Sequence, residues 1–169
     1  MSTSSHTATV APPAGMSEAA DFHRTLQDLI RLHGSRDRER AALYDVTPAG
    51  ARTVELLDRL GAISLNALAT ELFVDKSTAS RVVGCLEDNG YVRRLCDPDD
   101  RRALRLELTG DGIALARQLH ADAVWEMNAL LSSFDADARR DTLSFLRRLT
   151  RTSAMHAGVT EATCCREEG

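Results

Sequence analysis

Lysine is nearly absent from this chain. Of its 21 basic residues only Lys76 is a lysine, and the rest are arginines. Aromatic residues make up just 4%, so the interior has to be built from Leu, Val and Ala, which suits packed helices. No apolar run approaches the ~18 residues that a membrane-spanning helix needs. No Lys or Arg precedes Arg24 and no apolar core follows the start, which is not the pattern of a secretory signal; a cytoplasmic location is expected. There is no HExxH, no GxSxG and no Gly-rich phosphate loop, so the chain is expected not to be an enzyme and to require no cofactor. The cysteines are Cys85, Cys96, Cys164 and Cys165, and their spacing matches no CxxC…CxxC zinc pattern. In a cytosolic chain they are expected to be reduced.

What is present is one domain's worth of chain. The 169 residues, 43% of them hydrophobic, can bury a real core. The net charge of −4 argues against a general polyanion binder, though a local patch decides nucleic-acid binding. Residues 1–16 are rich in Ser, Thr, Ala and Pro and read as a disordered N-terminal arm. From Ser17, Phe22, Leu26, Leu29, Ile30 and His33 recur at helical spacing. The charged segment "GSRDRERAALYDV" reads as a connector with a short helical piece, so that 17–46 form an N-terminal helix and connector.

The next segment, 47–109, is punctuated by caps. Thr47 precedes Pro48 and a stripe of Val54, Leu57 and Leu60, closed by Gly61. Ser64 caps "LNALATEL". The apolar "LFV" is expected to pack and fix a helix crossing. Asp75 then caps "KSTASRVVGCLED", with Ala79, Val82, Val83 and Leu86 facing inward, and Asn89-Gly90 ends it. "YVRRLC" and "RALRLELT" read as the strands of a hairpin around the turn "DPDD", with Leu104, Leu106 and Leu108 on one face. Thr109 caps a long helix, Asp135 caps another, so 110–153 are helical, and 154–169 read as a flexible cysteine-containing tail.

Short helix, tight connection, capped helix and β-hairpin is the order of a winged helix-turn-helix, whose second helix enters the DNA major groove. The predicted fold class is mainly α with a small β-hairpin wing and a helical dimerisation region. Lys76, Ser77, Thr78, Ser80 and Arg81 lie on the N-terminal half of that helix. Hydroxyls and free N–H groups there suit phosphates, and Arg81 has the length to reach a base edge. Between Asp75 and Glu107 there are seven bases and seven acids. The segment is neutral, so binding must depend on arginines aimed outward and acids spent on caps, turns and pairs. Modest affinity per subunit then makes two subunits per site sensible.

Residues Ser64 to Gly112 resemble the DNA-binding core of the MarR family of bacterial transcriptional regulators. The similarity lies in the two helices, the "L-E-x-x-G-Y-V-R-R" strand entry, the "D-P-x-D-R-R-A" wing and the "L-T-x-x-G" start of the long helix. Weaker similarity extends over about residues 20–152. The resemblance implies a homodimer in which the first helix and the last two interlock. It implies that Lys76 to Asp88 form the recognition helix. It also implies that Arg102 enters a minor groove braced by Asp100, with Arg101 a further backbone contact. Most members repress a nearby operon and are released by a small molecule, a metal ion or an oxidant. Apolar residues on the end helices, among them Phe22, Leu26, Ile30, Trp125, Met127 and Leu130, agree with a dimer, since one winged domain cannot bury them all. An intramolecular helical cap is the alternative.

The signal is less legible. His23 and His33 are candidates for a metal site, or simply polar helix positions. Cys85 faces the interior of the recognition helix or its edge and reads as a small core residue, and Cys96 as a wing residue open to solvent. The vicinal pair Cys164–Cys165 suits a thiophilic inducer such as trivalent arsenic, or a redox role. It is equally readable as a chance pair. A regulator responsive to a small organic ligand, one responsive to thiol oxidation, and a winged-helix protein-interaction module that does not bind DNA remain alternatives.

Overall fold

The computed structural model describes residues 14–96 and 104–156. The chain divides into two compact units, residues 1–40 and 41–169. The first unit is the greater part of one helix, α1 (Ala14–Leu43). Most of the connector expected from Gly34 is helix instead: α1 runs on to Leu43 without a break, leaving only a short turn before α2. Local pairs support the continuation: Arg40 to Asp37 three residues back, Arg31 to Asp28 at 2.9 Å, and the Ser35 hydroxyl to Glu39 at 3.5 Å. A single helical glycine costs only about 1 kcal/mol against Ala, too little to break a helix so braced.

The second unit begins at Ala41, which is buried. It holds α2 (Pro48–Leu60), β1 (Ile63–Ser64), α3 (Leu65–Leu72), α4 (Lys76–Asp88), β2 (Val92–Cys96), β3 (Leu104–Leu108), α5 (Gly110–Leu131) and α6 (Ala136–His156). Each expected N-cap forms. Thr47 accepts from Gly50 N at 3.0 Å, Ser64 from Ala67 N at 3.1 Å, and Thr109 from Gly112 N at 3.1 Å. Asp135 accepts from Ala138 N at 2.8 Å. Such bonds satisfy donors that a helix start leaves without a partner.

The core is aliphatic, as the scarcity of aromatics requires. Val54, Leu57, Leu68, Val83, Leu86, Leu106, Leu115 and Leu119 are buried together. Thr53 is buried among them and donates its hydroxyl to Ala49 O at 2.8 Å. The sheet has three strands in the order β1-β3-β2, all antiparallel. The hairpin was legible from alternation, but β1 was not. Two residues, Ile63 opposite Leu106 and Ser64 opposite Arg105, are too few to show a period.

Three expectations about packing change. Leu106 and Leu108 are buried, but Leu104 at the outer end of β3 is 48% exposed and anchors nothing. Phe73 and Val74 are exposed rather than packed into the helix crossing. Cys85 is exposed as well, because the buried face of α4 is taken by Ala79, Val83 and Leu86 and Cys85 falls to its flank. α6 continues to His156, past the expected start of the tail at 154.

The loop into α5 is closely built. Gly90 has φ 76° and turns the chain from α4 into β2 where a side chain would be strained. The N–H of Thr109 donates to Tyr91 O at 3.0 Å. At Gly112 a Cβ would lie 2.0 Å from that same carbonyl oxygen. The wing base and the start of α5 are therefore fixed to one another by backbone contact. No helix among the described residues is long and apolar enough to cross a membrane.

Candidate nucleic-acid interface

The N-terminal half of α4 is organised around Asp75. Its Oδ1 accepts from Thr78 N at 2.9 Å and from the Ser77 hydroxyl, and its Oδ2 accepts from the Thr78 hydroxyl at 2.8 Å. The Ser77 and Thr78 hydroxyls, followed by the Thr78 N–H, hold the Asp75 carboxyl well below the usual carboxylate range. Thr78 Oγ1 also accepts from Arg81 Nη2 at 3.0 Å. Asp75, Thr78 and Arg81 thus form a relay along one face of the helix, in which the cap residue orients the arginine one turn on.

This relay changes the roles read from the sequence. Ser77 and Thr78 were expected to offer hydroxyl protons to phosphates, but both protons are committed to Asp75. Their work here is to position. Lys76 and Arg81 are exposed, and Ser80 is half-buried beside them. Unlike Ser77 and Thr78, these three are not bound to the Asp75 carboxylate.

The acids behave as the neutral charge count requires. Arg93 directs Nε (3.1 Å) and Nη2 (2.9 Å) to Glu107 Oε2, its register partner across the hairpin. Arg94 Nη2 meets Glu87 Oε2 at 3.0 Å, tying β2 to α4. Both arginines are therefore paired with acids at the lobe's surface, whereas Lys76 and Arg81 at the helix start are exposed cations. Sequence reasoning missed these pairings. The signal was the alternation of charge along the strands, which fixes a side of the sheet but not a partner.

Asp100, Arg101 and Arg102, the expected wing contacts, lie outside the described residues, as do Cys164 and Cys165. Cys96 is exposed at the end of β2. Among the described residues no three His, Cys, Asp or Glu side chains come together to hold a metal ion, and His23 and His33 gather no such group. A small cleft of about 60 Å³ lies between the start of α2 and α4, lined by Thr47, Gly50, Val82, Cys85, Leu86 and Asn89 among others. It has room for about two waters.

Comparison with known proteins agrees with this geometry. The family model of the MarR family matches residues 46–104. A candidate transcriptional regulatory protein for the hcr operon of Thauera aromatica is 36% identical over 108 residues, which is 63% of this chain and 64% of that protein. An uncharacterised HTH-type transcriptional regulator of Bacillus subtilis, YsmB, is 24% identical over 62% of this chain and 71% of its own length. Among solved structures, a MarR transcriptional regulator from Methanosarcina mazei is 26% identical with a TM-score of 0.72, over 80% of this chain and 98% of that one. A MarR family protein from Bacillus stearothermophilus shares the fold at 21% identity, with a TM-score of 0.77 over 85% of this chain and 99% of that one. With a winged helix-turn-helix flanked by further helices and the family match over residues 46–104, the chain belongs to the MarR family of DNA-binding transcriptional regulators.

Proposed function

We propose that this regulator is a cytoplasmic homodimer that represses transcription from a pseudo-palindromic operator, with half-sites about one helical turn, ~34 Å, apart. The observation that carries the DNA reading is the exposed basic start of α4, with Arg81 held by Thr78 and Asp75 while Arg93 and Arg94 are neutralised elsewhere. In this reading Lys76 and Arg81 meet DNA in the major groove with Ser80 beside them, and Ser77 and Thr78 set their geometry. Arg102, braced by Asp100, enters the adjoining minor groove, and Arg101 contacts the backbone.

Support for the dimer comes from α5 and α6. The first half of α5 buries Leu115, Ala116 and Leu119, whereas its second half exposes Val124, Met127, Leu130 and Trp125, the last by 73%. α6 has no buried residue, yet carries Leu143, Phe145 and Leu146. Apolar helical surface on this scale is matched to a second subunit.

Release is by an inducer that shifts the spacing of the two winged lobes. Cys164 and Cys165 are the proposed receptors for a thiophilic species such as arsenite. The DNA reading is tested with a duplex selected from a random-sequence library on the wild-type protein. Arg81→Ala and Arg102→Ala are each expected to weaken binding while leaving the unfolding transition in place; unchanged affinity in both would reject it. The inducer reading is tested separately with Cys164→Ser/Cys165→Ser. That variant should stay on DNA when arsenite is added, and its release like wild type would eliminate the pair.

A further inference from the structure

The turn between α3 and α4 carries an apolar pair that the fold leaves partly uncovered. Phe73, the C-cap of α3, has φ 56° and ψ 41°, a left-handed conformation. Its N–H donates to Thr70 O at 3.1 Å, and the N–H of Val74 reaches back to Ala69 O at 3.0 Å. This is the closure of a Schellman motif, a position that favours glycine or asparagine because a larger side chain is strained at positive φ. A phenylalanine stands there instead, and it gains little burial in return, being 69% exposed. Val74 beside it is 38% exposed. On both counts, backbone and solvation, Phe73 is a poor choice for the free protein.

The position of the pair indicates what covers it. Val74 is followed directly by Asp75, the N-cap of α4, and then by Lys76. Phe73 and Val74 are thus continuous with the basic helix start. A molecule seated on Lys76 and Arg81 passes the edge of this turn, and the cations make that molecule an anionic one. Duplex DNA offers apolar surface at such a place, the faces of the deoxyriboses between phosphates. In helix-turn-helix docking the turn stays beside the backbone while the second helix enters the groove.

We infer that Phe73, flanked by Val74, is a DNA-contact residue whose ring packs on the sugar-phosphate edge at the rim of the groove entered by α4. The inference rests on the reading of α4 given above. The contact adds apolar area without adding charge, which suits a lobe whose local charge is neutral. It also orients the helix, because the turn is joined rigidly to Asp75.

The test uses the full chain, a duplex selected from a random-sequence library, and three variants compared by affinity across a salt series and by thermal unfolding. Phe73→Asn should unfold no earlier than wild type, since asparagine tolerates the left-handed backbone. Its affinity should fall roughly ten-fold, as expected for losing about half the burial of a phenyl ring. Its slope of log affinity against log salt should not change, because an apolar contact releases no counterion. Phe73→Leu should keep most of the affinity. Arg81→Ala should make the slope shallower. If Phe73→Asn binds as wild type while Arg81→Ala is weakened, the ring makes no DNA contact and the role of α4 stands. A lowered unfolding midpoint that accounts for the lost affinity would make Phe73 a structural part of the turn and overturn the inference. If Arg81→Ala changes neither affinity nor slope, the reading of α4 fails, and the contact fails with it.

Discussion

Tyr44 donates its hydroxyl to Asp122 Oδ2 at 2.6 Å, across 78 positions of the chain. The bond joins the turn that precedes α2 to the middle of α5, near the point where α5 passes from buried to exposed residues. It is thus a direct polar link between the DNA-binding lobe and the helix that carries apolar surface away from it.

The bond gives a pH-dependent prediction. The hydrogen bond to Asp122, with burial and the aspartate's charge behind it, raises the Tyr44 phenol above its ordinary value of 10.0. A raised folded value means that the folded state holds the proton more tightly than the unfolded one. The stabilisation is therefore complete below pH 10.0 and is lost as pH rises through the folded value. Tyr44→Phe should lower the unfolding midpoint by a few degrees at neutral pH. Urea titrations run above pH 10.0 should show that difference shrinking.

Asp75 predicts the opposite dependence. Its carboxyl is held below the ordinary value of 3.8, so its contribution is present above that value and is lost as pH falls through the folded one. Asp75→Asn should reduce stability at neutral pH and should not share the wild-type loss in acid. Because Thr78 links Asp75 to Arg81, the same variant should also weaken DNA binding. Anisotropy titration of a labelled duplex measures this; unaltered affinity would show that the relay does not orient Arg81.

Gly112 is a packing prediction. A methyl group there would meet Tyr91 O at 2.0 Å, and the obstacle is backbone held by Thr109 N–H rather than a movable side chain. Gly112→Ala should cost about 3 kcal/mol in urea unfolding, the upper range for overpacking. Gly84, with open space around its Cβ position, is the control: Gly84→Ala in mid-α4 should stabilise by up to about 1 kcal/mol.

The two classes of arginine should separate in salt titrations. Arg81→Ala removes an outward-facing cation and should reduce the salt slope by about one unit. Arg93→Ala removes a cation already spent on Glu107 and should leave the slope unchanged.

Trp125 tests the proposed assembly. Trp125→Arg places charge within the exposed apolar half of α5 and should weaken self-association by at least about 2 kcal/mol. Sedimentation equilibrium reads this as a shift toward monomer, and an unchanged mass would exclude this face from the interface.

The sequence by itself determined what is local. Thr47, Ser64, Asp75, Thr109 and Asp135 marked the helix starts because a cap is a bond between residues three apart, readable without the fold. Alternation in "RALRLELT" marked β3 and its buried Leu106 and Leu108, and the combined helix and wing motifs carried the family. What only the tertiary structure decided is which partner each side chain meets. The sequence counted as many acids as bases in this segment and expected some to pair, but the pairing of Arg93 with Glu107 and of Arg94 with Glu87 depends on strand register and on how β2 leaves α4. It expected Phe73 to pack into the helix crossing because the ring is apolar, whereas Phe73 sits in a left-handed cap and is exposed. It placed Cys85 inside because the residue is small and apolar, whereas the angular space facing the core was already filled by Val83 and Leu86. In each case the chemistry of the residue was legible, and its direction was set by backbone geometry and by competition for one buried face.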